Sequence, residues 1–332
     1  MDILATLQAL NACHGPSGDE GQVARAIEQL AAPFVDETST DTLGNLICHK
    51  KGSGKKVLFA AHMDSIGFMV THMDEKGFLR FGRIGGLDAH EVLGTPVRFK
   101  NGVRGVVACQ GKTEPKEMKL EDLYLDIGAK NEEEAKAMVQ VGDTAVYDTA
   151  GFVNGSRIFS PYLDDRIACV VLLMAMEQLE QTENDLYFVF TVQEEVGLRG
   201  ARTAAYGIDP DYGIAVDVTD SDDIPDAPHA CSSVAGKGAA IKVMDSSVIC
   251  HPAVVAKLEE LAREQGIPAQ KDILKSGGTD AGAIHQSRAG VSTGGISIPT
   301  RYIHTPQEMA DLDDIKACAD LAAAFAQTKL DN

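Results

Sequence analysis

Apolar and polar residues follow two different rhythms along this chain, and the change between them divides it. From Asp2 to His14 an Ile/Leu/Leu spacing predicts a helix, and Ser17-Gly-Asp-Glu20 reads as the cap of a second helix running through Val23, Ile27 and Leu30 to about Ala32, where Pro33 closes it. Asp41 to His49 and Lys56 to Ala61 read as strands, the second followed at once by His62-Met-Asp64. Between about Ile66 and Ile158 the pattern becomes short alternating runs (Phe78 to Phe81, Pro96 to Phe99, Val103 to Cys109, Thr144 to Tyr147) parted by glycine and polar turns. Only Asn131 to Val139 reads as helical there. Beyond it a long apolar helix is expected over Asp164 to Gln181, a strand over Leu186 to Val192, a short strand from Tyr212 to Val216 ending at Asp217, and an amphipathic helix over Pro252 to Gln265. Gly294 to Pro299 is expected to be the last strand and Asp311 to Leu330 a closing helix.

Alternation of strand and helix on both sides of the β-rich stretch predicts an α/β domain interrupted by a small β-rich insertion. All seven residues from Leu186 to Val192 are apolar, β-branched or aromatic, as in a strand covered on both faces. The strand then gives way to Glu194, Glu195 and Gly197. Ligands in open α/β sheets sit at such carboxyl ends, and two acids there are costly to bury without a positive partner.

Composition narrows the partners. A chain of 332 residues favours two units over one, since single cores stop growing at roughly 250 to 300 residues. A net charge of −19 argues against nucleic acid or an anionic membrane, both polyanions. No apolar run reaches the roughly 20 residues of a membrane span, and the first ten residues lack a basic start and an apolar signal core, so a cytoplasmic location is expected. Seven widely spaced cysteines without a Cys-x-x-Cys pair fit reduced thiols.

Several polar residues fall at or just beyond expected strand ends: His62, Asp64, Glu194, Glu195, Asp217 and His304, with Asp164 opening the long helix. Two imidazoles with several carboxylates and no cysteine form a ligand set for Zn, Co or Mn, and three carboxylates nearly balance two divalent cations with a hydroxide. That is the composition of a two-metal hydrolase. Each residue has a plainer reading: Asp164 as a helix N-cap, Asp217 as a turn residue, the glutamates as solvated acids at a loop start. Neighbours in a regular strand point to opposite faces, so Glu194 and Glu195 cannot serve one site unless the pleat breaks, which is expected near Val196 and Gly197. His72-Met-Asp74 repeats the first motif but precedes a turn and reads as a surface hairpin. Ser276-Gly-Gly-Thr-Asp280 lacks a P-loop lysine and reads as a substrate-lining turn. The histidines at 14, 49, 90, 229, 251 and 285 lack comparable spacing and are expected in structural or surface roles.

These residues, with Pro16-Ser-Gly18, Asp41-Thr-Leu-Gly-Asn45, Leu120 to Gly128, Leu163-Asp-Asp-Arg166, Asp217-Val-Thr219, Gly277-Gly-Thr-Asp280 and Arg301-Tyr-Ile-His304, resemble in order and spacing the M42 family of dinuclear metallo-aminopeptidases, which includes glutamyl aminopeptidase and the tetrahedral peptidases. The resemblance implies an α/β fold, a mixed sheet flanked by helices, with catalytic residues 1–66 and 158–332 and an inserted dimerisation domain at 67–157. It implies two divalent metal ions: His62 and Asp217 on one, Glu195 and His304 on the other, and Asp164 bridging both. It further implies Glu194 as general base toward a bridging water, Asp64 orienting His62, and a cis peptide between Asp164 and Asp165. Short peptides are the implied substrates, and self-association to dimers and tetrahedral dodecamers the implied assembly. Ser65 departs from the family, where relatives usually carry an acid.

Two competing activities stand beside this reading. A metal-dependent deacylase would use the same water attack. An endoglucanase-type glycosidase would leave the histidines unused and would lack aromatic platforms, there being no tryptophan. The preferred N-terminal residue stays open: Lys237, Arg288 or Arg301 would favour an acidic side chain if one lined the pocket.

Overall fold

The computed structural model describes residues 1–111, 114–227 and 231–330. In chain order the strands are β1 (Glu37–Thr40), β2 (Leu46–Lys50), β3 (Lys56–His62), β4 (Gly67–Met73), β5 (Leu79–Ile84), β6 (Pro96–Phe99), β7 (Arg104–Cys109), β8 (Leu123–Asp126) and β9 (Thr144–Tyr147). They continue with β10 (Phe152–Asn154), β11 (Arg157–Ser160), β12 (Asp185–Thr191), β13 (Tyr212–Asp220), β14 (Ala239–Met244), β15 (Ala269–Ile273), β16 (Ser292–Arg301) and β17 (Glu308–Asp311). The large sheet is mixed, in the order β1-β2-β12-β3-β13-β16-β17-β11-β10, with β14 beside β16 and β15 beyond it. Strands β4 to β9 close into a separate small barrel. The hairpin of β10 and β11 pairs with β17, so the β-rich stretch between Ile66 and Ile158 is shared by the two sheets.

The centre of the large sheet is parallel: β12 pairs with β3, β3 with β13, and β13 with β16. Helices cover both its faces, which explains the unbroken apolar runs. On one side Val57, Phe59 and Ala61 of β3 and Phe188 of β12 meet the helices Leu163–Glu177 and Leu312–Gln327. On the other side Leu58, Ala60 and Val189 meet the short helices Arg199–Ile208 and Ala281–Ile284. Phe59 and Phe188 stack with ring centroids 5.2 Å apart, and burying each such ring stabilises the fold by roughly 1.5 to 3 kcal/mol.

Several expected boundaries move, each for a local reason. Asp41 to Asn45 is a turn between β1 and β2, because the Asp41 carboxylate gathers the N–H groups of Leu43, Gly44 and Asn45 at 2.9 to 3.0 Å. Strand β13 runs on through Asp217 to Asp220, since β16 offers it partners as far as Thr300. Gly294 to Pro299 lies within β16 but is not the last strand: β17 follows and pairs with it at Thr300 and Arg301. Asp164 makes no helix cap; it is extended, with ψ at 104°, and joins Asp165 through a cis peptide. Arg166 behind it is fully buried and donates to the carbonyls of Leu10, Cys13 and Gly15 at 2.9 to 3.3 Å, tying the first helix to the site.

Candidate metal centre and active site

Parallel register brings the first functional side chains level. Thr191 of β12 pairs with His62, the last residue of β3, and the Ala215 of β13 pairs with Ala60. Two residues past that second pair stand His62 and Asp217, side by side at the carboxyl edge of the sheet. Strand β13 thus carries Asp217 into the site without a turn.

Asp164 occupies the middle of the site. Its Oδ1 lies 2.9 Å from Nε2 of His62, and its Oδ2 lies 3.2 Å from Nε2 of His304. Glu195 Oε2 is also 3.2 Å from His304 Nε2, and Glu194 Oε2 is 3.9 Å from His62 Nε2. Potential ligand atoms of His62, Asp164 and Glu195 fall within 4.8 Å of one another, as do those of His62, Asp165 and Asp217. The six residues His62, Asp164, Glu194, Glu195, Asp217 and His304 line one cavity of about 530 Å³. Asp64 lies behind it, fully buried, with its carbonyl 3.2 Å and its carboxylate 3.5 Å from His62 Nδ1.

The pleat breaks earlier than Val196 and Gly197. Strand β12 ends at Thr191, and Gln193 takes a left-handed φ of 55°, which turns the next two residues out of strand geometry. Asp64 then holds the turn: its Oδ1 accepts the N–H of Glu194 at 3.0 Å and its Oδ2 that of Glu195 at 3.3 Å. Ser17 donates its hydroxyl to the same carboxylate at 2.6 Å. The two adjacent glutamates therefore reach one site because a third acid fixes their backbone.

Three acids of this centre carry no assigned role in the sequence. Asp165, fully buried, accepts the backbone N–H of His62 at 3.1 Å. Asp280 accepts the hydroxyl of Thr191 at 2.5 Å, so the Gly277-Gly-Thr-Asp280 turn lines the cavity with Gly277, Gly278 and Thr279 while its aspartate points inward. Glu308 accepts the N–H of Asp164 at 2.8 Å and that of His304 at 2.9 Å. Asp165 and Asp280 belong to the Leu163-Asp-Asp-Arg166 and Gly277-Gly-Thr-Asp280 motifs, which marked their positions but not their roles. Glu308 gave no sign beyond standing four places after His304.

Burial, before anything else, raises the carboxyls of Asp165, Glu194, Glu195, Asp217, Asp280 and Glu308, and repulsion from neighbouring carboxylates adds to it. For both imidazoles burial pushes the other way, yet the carboxylates around His62 (Glu194, Asp164, Asp64) and His304 (Glu195, Asp164) outweigh it and hold them far above the ordinary histidine range. Asp164, between the two imidazoles, is held well below the usual carboxylate range despite its burial. The site attracts positive charge. Three of its buried oxygens, Asp165 Oδ1, Glu195 Oε1 and Asp280 Oδ1, accept no hydrogen bond. Orphaned carboxylate oxygens beside two imidazoles, with no thiol among them, fit hard-to-borderline divalent cations.

The remaining motifs fall elsewhere. His72 is exposed and Asp74 closes the β4–β5 turn by accepting from Lys76 and Phe78 at 2.9 Å. Ser65 is buried and donates to the Gly15 carbonyl at 3.3 Å. His14 and His49 are structural: His14 meets Thr144 Oγ1 at 2.8 Å, and His49 stacks on Tyr187 at 4.1 Å. His229 lies outside the described residues.

The family model of M42 glutamyl aminopeptidases matches residues 44–321. A lysyl aminopeptidase of Pyrococcus furiosus is 38% identical, over 91% of this chain and 90% of its own. An aminopeptidase structure from the archaeon Desulfurococcus kamchatkensis superposes with a TM-score of 0.94 at 39% identity, covering 98% of this chain and 94% of that one. A TET1 peptidase of Pyrococcus horikoshii, described as assembling into a tetrahedron or a large octahedral shell, superposes with a TM-score of 0.89 at 31% identity, covering 98% of this chain and 99% of that one.

Proposed function

Because this chain belongs to the M42 glutamyl aminopeptidase family and is a hydrolytic peptidase, we propose that it removes N-terminal residues from short peptides, with Glu194 as general base. The observation that carries this is Asp164, one oxygen turned to each of two imidazoles from distant parts of the chain. His62 and Asp217 would hold one divalent cation of the Zn, Co or Mn class, Glu195 and His304 a second, and Asp164 would stand between them. Such cations supply Lewis acidity toward a carbonyl and lower the pKa of water.

The protein's own groups do the rest. Glu194, raised by burial, takes a proton from the attacking water and delivers it to the leaving amine; a carboxyl tuned upward suits both halves of that transfer. Asp64 keeps His62 oriented through Nδ1 and keeps Glu194 aimed through its backbone. The short apolar walls of the cavity, Leu198, Val218, Leu274 and Ile303, exclude water from the N-terminal side chain.

We further assign residues 67–157 as a dimerisation module. Met69, Leu93, Val106, Val141 and Phe152 are exposed there, 37 to 62% of each, and supply the apolar surface a self-contact needs. Dimers so formed would build a tetrahedral dodecamer, by analogy with the TET1 peptidase, which can assemble into a tetrahedron. A cytoplasmic location accords with seven unpaired thiols, four of them buried, and among the described residues no helix is long and apolar enough to cross a membrane.

The test is a chelated enzyme restored with Zn, Co or Mn in turn and assayed on aminoacyl p-nitroanilides. Activity should vanish and return, and Glu194→Gln should keep its metal content while losing roughly 10²- to 10⁴-fold in kcat. Unchanged turnover in Glu194→Gln would sink the base assignment. Cleavage of a β-glucan that is indifferent to chelation would favour the glycosidase reading.

A further inference from the structure

Acids outnumber the other ionisable groups in the walls of the cavity over the site, five to two. Its ionisable lining residues are His62, Asp164, Glu194, Glu195, Asp217, Asp220 and His304, with no lysine or arginine among the described residues. Each cation that would have favoured an acidic substrate is placed elsewhere. Arg301 is paired with Asp223, its Nε 2.7 Å from Oδ1. Arg288 lies 4.2 Å over the Tyr206 ring, and Lys237 is exposed away from the lining. No lysine or arginine of the lining would meet a substrate carboxylate.

Asp220 stands apart from the rest of that lining. It closes β13, three residues beyond Asp217, and belongs to neither the proposed ligand set nor the base. Its backbone is pinned, because Ser233 Oγ and Cys231 Sγ donate to its carbonyl at 2.6 and 2.8 Å. Its carboxylate enters no ion pair with a described residue. Burial and then the charge of Asp222 raise it, and the charges of His304 and Asp164 reach it across the cavity. The same cavity has apolar walls at Leu198, Val218, Leu274 and Ile303 and small ones at Gly277 and Gly278. An apolar passage with one fixed, uncompensated carboxylate is the complement of a side chain with a methylene stem and a cationic head.

We infer that the cavity selects peptides whose N-terminal residue is basic, lysine or arginine, and that Asp220 receives the charged head. The inference rests on the aminopeptidase reading and narrows its substrate class. The whole chain, at −19, would steer cationic peptides in the same sense.

The metal-restored full chain should be assayed on lysyl, arginyl, leucyl and glutamyl p-nitroanilides. Expected are kcat/KM values for Lys and Arg about tenfold or more above Leu, the worth of one hydrogen bond to a charged group, with Glu slowest. Asp220→Asn should collapse the Lys-to-Leu ratio by about the same factor, mainly through KM, and Asp220→Glu should restore part of it. Asp220→Lys should invert the order of Lys and Glu. Raising salt should raise KM for Lys and leave KM for Leu nearly constant. A wild-type preference for Leu or Glu would overturn the inference while leaving the aminopeptidase reading intact. Equal losses on all four substrates in Asp220→Asn would overturn Asp220's selectivity and make it a docking group for the α-ammonium. No cleavage of any aminoacyl substrate would instead sink the aminopeptidase reading itself.

Discussion

Glu308 holds Asp164 from 144 residues away, its Oε2 accepting the aspartate's backbone N–H at 2.8 Å. Its other oxygen accepts the N–H of His304 at 2.9 Å, so one buried carboxylate sets the spacing between two residues proposed as ligands. Asp64 does the same for Glu194 and Glu195 on the opposite side of the site. The centre is held by paired clasps of acid on backbone.

Replacing Glu308 should therefore act through geometry. Glu308→Gln keeps one acceptor but sets an N–H₂ against a backbone N–H. Divalent-cation affinity measured by calorimetry should fall about 10- to 100-fold, the usual size of an orienting-residue effect. Unchanged affinity and unchanged kcat together would show the clasp to be dispensable.

Removing the cations should loosen the fold as well as stop the reaction. Acids crowded at the centre repel one another, and a ligand bound only by the folded state stabilises it by about 2.7 kcal/mol at a hundredfold excess over Kd. Chelated protein should melt several degrees lower in calorimetry, and restoring Zn, Co or Mn should recover the difference. An identical Tm with and without metal would contradict this account.

Acid should weaken the seam between barrel and large sheet. Burial, opposed in part by Asp19, depresses His14 from 6.5 to about 4 where it meets Thr144 of β9. The folded value lies below the unfolded one, so the unfolded chain binds the proton first: stability is full above pH 6.5 and is lost as pH falls toward 4. The span amounts to about 3 kcal/mol at most. Urea titrations across that window should show the decline, and His14→Gln should flatten it.

Lys242 and Asp272 form a wholly buried pair, Nζ to Oδ2 at 2.6 Å, on the adjacent strands β14 and β15. Asp272→Asn leaves the ammonium uncompensated and should cost about 3 to 5 kcal/mol in denaturant unfolding. Lys242→Met with Asp272→Leu should recover most of that loss.

What the chain alone determined was chemistry and order. Apolar runs such as Leu186 to Val192 forecast strands covered on both faces, and polar residues directly after them forecast a site at the carboxyl edge, because period and composition are local properties. The motif spacing pointed to a family that the comparisons then established. What tertiary structure alone decided was everything that depends on distant partners. Asp217 lies inside a strand because β16 extends the ladder past it. Glu194 and Glu195 converge because Gln193 turns early and Asp64, 130 residues upstream of Glu194, fastens the turn. Asp165 and Asp280 stood inside recognised motifs but without a role, and Glu308 joined the centre without a local pattern, since a buried carboxylate that accepts hydrogen bonds from remote groups leaves no periodic trace in its own neighbourhood.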